Sequence, residues 1–340
     1  GVVGLLEGAG EGPTILLRFD MDALPIQEEN DVPYASQTPG VMHACGHDGH
    51  TTMLLAAAKY LSETRNFRGQ VNFIFQPAEE GIGGARAMIE DGLFEQFPCD
   101  KLFAMHNATG IPLGCFGATA GTLTAAGAFF DIDILGTGAH GAFPDDAVDS
   151  VVIAGELIGA LQSVVSRNVK PSKTAVVSVT QVHAGDAYNV IPASARLSGT
   201  VRTFDMDVME LVKTRMTELA EGIAAAYGAK AEIDFRTIFH PVVNDGEATS
   251  LAADVCERLV GPDNVLRNLS PGTGSEDFSF MLEQVPGCYL LVGNKDDEHT
   301  RPVHNPGYDF NDKASVYGAS FFASVVETTL ATDAVPDDTR

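Results

Sequence analysis

The chain has 340 residues, enough for two domains with their own cores, and its 45% apolar and 20% charged residues are those of a globular protein. No stretch approaches the eighteen uninterrupted apolar positions of a membrane span, so a membrane is not an expected partner. A net charge of −25, from 21 basic and 46 acidic residues, repels a phosphate backbone and sets nucleic acid aside as well.

In chain order, Gly1 to Glu7 reads as part of a strand, with neither an initiator Met nor a signal-type stretch before it; missing N-terminal sequence is therefore expected. Thr14 to Phe19 reads as a strand, Thr51 to Leu61 as an alanine-rich helix and Val71 to Gln76 as a strand. Gly83 to Ile89 then reads as helical and Leu102 to Met105 as extended. This β-α-β-α-β rhythm predicts an α/β layer with a mixed, largely parallel sheet.

From about Ala118 the pattern changes. Ala128, Phe130, Ile132 and Ile134 alternate along a strand, and a helix follows from about Ala147 to Arg167. Strands near Thr174 to Val182 and Ala193 to Arg202, a helix near Asp205 to Tyr227 and a strand near Lys230 to Phe235 complete a β-α-β-β-α-β unit of ferredoxin-like order. Helices near Glu247 to Leu259 and Asp312 to Thr329 then flank an apolar strand at Cys288 to Val292. The simplest division is one α/β domain, residues 1–118 and 236–340, interrupted by an inserted domain at 119–235.

Five scattered cysteines (Cys45, Cys99, Cys115, Cys256, Cys288) are not the framework of a disulfide-stapled secreted domain, and a reducing, cytoplasmic setting is the expectation. The acidic excess reads either as adaptation to a salt-rich habitat or as a solubility device.

The densest chemistry is His43-Ala44-Cys45-Gly46-His47-Asp48-Gly49-His50, which crowds three of the nine histidines with a thiol and a carboxylate just before a helix. Imidazole, thiolate and carboxylate are the ligands that borderline divalent metals select. Gln76-Pro77-Ala78-Glu79-Glu80-Gly81 places two adjacent carboxylates after a strand, where open α/β sheets put their ligands. Such a pair allows one carboxylate to bind metal while its neighbour moves protons. His106 is expected at the end of the next strand, on the same rim, although a histidine at a strand end taken alone is more often a packed or exposed structural residue. His304 lies in a polar loop whose role its position leaves open.

Together these segments resemble the aminoacylase and carboxypeptidase family of dinuclear metallohydrolases, in its hippurate hydrolase, N-acyl amino acid amidohydrolase and auxin-conjugate hydrolase branch. The pieces run in family order: LRFDMDALPIQE from Leu17, HACGHDGHT from His43, FQPAEEG from Phe75, AMHN from Ala104, GAHGAFP from Gly138, NVIP from Asn189, GTVRTF from Gly199 and GSEDFS from Gly274.

The resemblance implies that Cys45, His47, Glu80, His106 and His304 bind two divalent metal ions per subunit, manganese or zinc first, with cobalt or nickel as alternatives. Cys45 would be shared between them. Glu79 would be the general base, promoting attack of a metal-bound water on an N-acyl amino acid (acetyl, benzoyl or indoleacetyl). Asp22 aligns with a carboxylate that orients a ligand imidazole; Asp20 stands where other branches carry a ligating His and is left out of the set.

His140, on a lid, would reach over from a second subunit to support the oxyanion, with Asn189 and Arg202 gripping the substrate carboxylate. The insert would thus be a lid and dimerisation domain, and a homodimer or higher homo-oligomer is expected. GSEDFS is expected to be architectural, and His43, Asp48 and His50 to support their loop. Family members begin with some dozens of residues ahead of Gly1, a departure that bears on stability more than on chemistry. Competing readings are a dipeptidase or a hydrolytic aromatic-amine deaminase on the same scaffold, and a non-catalytic metal-binding protein. Intact Glu79 and Glu80 speak against the last.

Overall fold

Four parallel strands, nearly continuous in buried apolar residues, form the centre of a seven-stranded mixed sheet in the computed structural model, which describes residues 1–81 and 83–331. In order across the sheet the strands are Val2–Glu7, Gln70–Gln76, Thr14–Asp20, Lys101–Pro112, Gly287–Lys295, Phe116–Gly117 and Val265–Leu266. The second to fifth run parallel, Val2–Glu7 joins antiparallel to Gln70–Gln76, and Phe116–Gly117 joins antiparallel to Gly287–Lys295. Strands covered on both faces read as apolar runs rather than alternations, as Ile15-Leu16-Leu17 does.

Successive side chains of a strand point to opposite faces, and the two sides of the sheet bury separate sets. Ile15, Leu17, Phe19 and Phe103 pack with the helices His47–Thr64, Gly246–Val260 and Ala314–Thr329 through Leu54, Leu61, Ala252, Phe321 and Phe322. On the other side Leu16, Ile74, Leu102 and Ala104 meet Leu93, Phe278 and Met281. The chain divides into two compact units. The sheet belongs to the first, Gly1–Leu123, Val242–Ser270 and the residues from Asp277 onward; the second is Thr124–Pro241 with Pro271–Glu276.

The second unit has the strand order Lys230–Phe239, Ala126–Leu135, Ser194–Thr203, Ala175–Ala184, with every neighbouring pair antiparallel. Helices Ser150–Ser163 and Met206–Ala226 set Ile153, Leu157, Leu161, Val212 and Met216 against Phe130, Ile132 and Leu197. The stretch Ser150–Asn168 is long and apolar enough to cross a membrane by length and composition. Its residues Ile153, Leu157, Leu161 and Val164 are instead part of this unit's core.

Among the boundaries that differ from the sequence reading, three have a clear local reason. The alanine-rich helix starts at His47 rather than Thr51, because a left-handed Gly46 turns the chain directly into it. The helix expected from Ala147 begins at Ser150, where the Asp149 carboxylate accepts hydrogen bonds from Val151 N and Val152 N at 2.9 and 3.2 Å. The strand expected over Leu102 to Met105 runs from Lys101 to Pro112. Its polar half, from His106 onward, lacks the apolar pattern of a buried strand but continues to pair with Gly287–Lys295.

Candidate metal centre

Gly46 has φ 89°, and a Cβ at this position would stand 2.4 Å from Asn107 Oδ1 and 2.7 Å from the Tyr308 hydroxyl. Only glycine tolerates that turn at that approach. Cys45 and His47, on either side of it, are both buried. His47 Nδ1 lies 3.1 Å from Asp22 Oδ1, and Asp22 Oδ2 accepts the Glu80 backbone N–H at 3.0 Å. One carboxylate thus orients an imidazole and holds the neighbouring acidic loop, with His47 Nε2 left for the site.

That loop leaves the strand Gln70–Gln76 through Ala78, held in the left-handed region at φ 58°. Glu79 is buried and Glu80 partly so. His106 does not end its strand as the sequence suggested, since it sits within Lys101–Pro112, paired opposite Leu291. Its Nδ1 contacts the Asn107 carbonyl at 2.7 Å, and its Nε2 faces Cys45 Sγ at 3.4 Å. His304, at φ 64°, is the other non-glycine residue of the centre in this unfavourable conformation. Its backbone N–H donates to Ala44 O at 2.7 Å, and its Nε2 lies 3.1 Å from Glu80 Oε1.

Among the described residues, three of the groups of potential ligand atoms, each within 4.8 Å, are built from the candidate ligands and Glu79: Cys45 with His47 and His106, Cys45 with Glu80 and His304, and His47 with Glu79 and Glu80. Cys45 is common to the first two. Every imidazole presents Nε2, and His47 Nε2 is a buried polar atom with no hydrogen-bond partner, a costly state that a bound cation relieves. Burial, then the Glu80, Asp20 and Glu79 carboxylates, pushes the Cys45 thiol well above its ordinary range. Burial opposes charge on His47, yet Asp20, Asp22 and Glu80 outweigh it and raise the imidazole to about 9. A pocket that collects protons on a thiol and an imidazole beside carboxylates has the charge pattern of a divalent-cation site, and its residues fit that group.

Replacing Asp22 with Asn is expected to weaken metal binding about 10- to 100-fold, because both the His47 contact and the Glu80 tether change. Competition against a chelator measures this, and unaltered affinity would contradict the role given to Asp22.

A family model for peptidase family M20/M25/M40 matches residues 16–328. The chain belongs to this family. It is 43% identical over 328 residues to a hippurate hydrolase of Campylobacter jejuni, covering 96% of this chain and 84% of the relative. It is 40% identical to an N-acetylcysteine deacetylase of Bacillus subtilis, with 98% and 86% covered. Among solved structures, a dinuclear metal-binding M20 peptidase of Bacillus subtilis superposes with a TM-score of 0.82 at 36% identity, covering 96% of this chain and 84% of that one. This M20 enzyme is a metal-dependent amidohydrolase with a centre for two divalent ions.

The remaining polar residues of the M20 site are occupied by one another. His50 is fully buried, with Nδ1 2.6 Å from Asp20 Oδ1 and Nε2 accepting the Asn107 N–H at 3.0 Å. Neither nitrogen is left for metal, and burial lowers this imidazole to about 4. Asp20 has its second oxygen on Arg18 Nη1 at 2.9 Å. Burial works against its charge, but His47, His50 and Arg18 hold its carboxyl well below the usual range. Asn107 Nδ2 donates to the Tyr308 hydroxyl at 2.8 Å. Sequence reading did not find the roles of Arg18, Asn107 or Tyr308. Asn107 beside His106 within AMHN, and Arg18 as a cation in an apolar strand within LRFDMDALPIQE, were the available signals; Tyr308 gave none.

His140, Asn189 and Arg202 belong to the second unit. His140 is exposed, its Nδ1 accepts the Ala142 N–H at 3.0 Å, and its ring packs on Phe143. The strand pair Ala139–His140 and Val190–Ile191, with Gly141 N donating to Asn189 O at 2.7 Å, brings His140 and Asn189 into one turn cluster. Arg202 is on the strand Ser194–Thr203, where its Nη1 donates to Thr200 Oγ1 and Val201 O; burial lowers the guanidinium pKa.

Proposed function

We propose that this M20 enzyme hydrolyses the amide bond of N-acyl amino acids, with acetyl, benzoyl and indoleacetyl conjugates as the substrate class. The observation that carries the reading is a pair of donor triads sharing Cys45, with the Glu79 carboxylate beside them. In this reading Cys45, His47, Glu80, His106 and His304 hold the metal pair, manganese or zinc. When bound, the pair polarises the amide carbonyl and lowers the pKa of water.

Glu79 takes the proton of the attacking water as its oxygen bonds to the carbonyl carbon, and passes that proton to the departing nitrogen as the carbon–nitrogen bond breaks. The products are a carboxylic acid and a free amino acid. Burial of Glu79 favours this double role by keeping bulk water from competing for the proton. Asp22 orients His47, and the resemblance assigns oxyanion support to His140 and the substrate carboxylate to Asn189 and Arg202.

The second unit, with its antiparallel sheet backed by two helices, is read as an inserted ferredoxin-like lid and dimerisation domain, so that His140 is supplied across a homodimer. Free thiols at all five cysteines agree with a cytoplasmic setting. The test is a panel of N-acetyl, N-benzoyl and indoleacetyl amino acids assayed with manganese, zinc, cobalt and nickel for release of free amine. Turnover of at least one conjugate class is expected; turnover only of dipeptides, or release of ammonia, would give the site to the competing chemistries. Light scattering of the active enzyme is expected to show a dimer, and an active monomer would remove the cross-subunit role of His140.

A further inference from the structure

The described residues around Glu79 and Glu80 make close turns. Ala78, Gly81 and Gly83 all have positive φ, and a Cβ at Gly84 would stand 1.7 Å from Pro77 O. The non-glycine Ala78 keeps its left-handed conformation only where the surrounding structure holds it. One carboxylate touches both ends of the loop. Asp277, fully buried at the start of the helix Phe278–Leu282, accepts from Gln76 Nε2 at 2.8 and 2.9 Å and from the Ala85 N–H at 2.8 Å. Gln76 is the last residue before the loop, and Ala85 lies in the first turn of the helix Gly84–Glu90 that follows it.

Arg18 completes the arrangement. Its Nε donates to Gln76 Oε1 at 2.8 Å, its Nη2 to Asp277 Oδ1 at 3.0 Å and its Nη1 to Asp20 Oδ2 at 2.9 Å. Gln76 therefore has its oxygen on Arg18 and its nitrogen on Asp277, which fixes the amide's orientation. A buried ion pair with hydrogen bonds this complete is rigid, and breaking one member leaves the others unpaired at a cost well above that of a surface contact.

We propose that Asp277 is a positioning residue of the reaction: by holding Gln76 and Ala85 it clamps both ends of the acidic loop and sets where the Glu79 carboxylate stands. The inference rests on reading Glu79 as the proton carrier. It assigns a catalytic consequence to the GSEDFS segment, which sequence reasoning took as architectural, without placing Asp277 in contact with substrate. A displacement of about 1 Å at a reacting group costs on the order of 10²-fold in rate, so a loosened clamp is expected in kcat before it is seen in binding.

The test uses the metal-loaded full chain with Asp277→Asn and Gln76→Met, each alone and combined with Glu79→Gln. Each single variant is expected to lower kcat about 10²-fold with KM within about twofold, to retain metal and to speed hydrogen exchange at the Ala85 amide. Combined with Glu79→Gln, neither is expected to lower the residual rate further, because both act through the same carboxylate. The proposal is overturned if both single variants keep kcat within about twofold of the parent, or if their effects multiply with that of Glu79→Gln. Should Asp277→Asn fail to fold, Gln76→Met reads the same clamp from its other contact. Unchanged kcat in Glu79→Gln alone would sink the proton-carrier reading, whereas unchanged Ala85 exchange in both clamp variants would sink the clamp.

Discussion

Glu79→Gln is expected to lower kcat by about 10²–10⁴-fold while both metal ions stay bound. Gln preserves the volume and the planar head of the side chain, so packing around this buried position survives; what disappears is the capacity to take a proton. KM is expected to change little, since the proton moves only on the way to the transition state. The neighbouring substitution behaves differently. Glu80 shares a donor triad with Cys45 and His304, and its carboxyl lies below the ordinary range because His304 and His47 overcome the burial that opposes its charge. Glu80→Gln is therefore expected to lose metal first and activity as a consequence. Elemental analysis beside single-turnover kinetics separates the two, and a Glu79→Gln enzyme within twofold of the parent kcat would remove Glu79 from the chemistry.

From the residue types alone this contrast between adjacent carboxylates was readable only as a possibility of divided labour, and the family resemblance supplied which one would take each role. Strand Gln70–Gln76 was legible from its apolar residues, and an acidic pair after a buried strand points to the rim of a parallel sheet. The physical reason for the assignment needs three dimensions, because Asp22 and His304 reach Glu80 from 58 and 224 positions away. Long-range contacts leave no periodicity behind.

His106 shows the same limit from the other side. Its strand was recognised from Leu102 to Met105, where the side chains are apolar, and lost where polar residues continue the pairing with Gly287–Lys295. A pattern-based reading takes polarity for a loop, but polarity in a strand beside a metal centre is what the site demands. Gly46 was visible as a glycine in a histidine-rich turn, yet the reason for it, the approach of Asn107 and Tyr308, lies in two other segments. Arg18 is the clearest case. A cation in the middle of an apolar strand reads as an exception to burial, and only Asp20, Gln76 and Asp277 around it make the buried charge tolerable.

Removing the metal ions is expected to abolish turnover entirely, and the pH dependence of their return reports which residues hold them. In the metal-free protein His47 titrates near 9, since Asp20, Asp22 and Glu80 outweigh its burial, and Cys45 stays a thiol well above its ordinary value. Both must lose a proton to act as ligands. Apparent metal affinity is therefore expected to climb with pH by about one to two log units per pH unit up to pH 9, the slope counting the protons released. The stability of the metal-free protein moves the opposite way. His47 has a folded value above its unfolded one, so its contribution is fully present below about pH 6.5 and is lost as pH rises through 9. Chelator competition at several pH values, with thermal unfolding of the metal-free and metal-loaded forms, measures both slopes. Metal affinity independent of pH below 9 would exclude Cys45 and His47 as ligands, whereas opposite slopes tie the Cys45–Gly46–His47 turn to the metal ions through its protons.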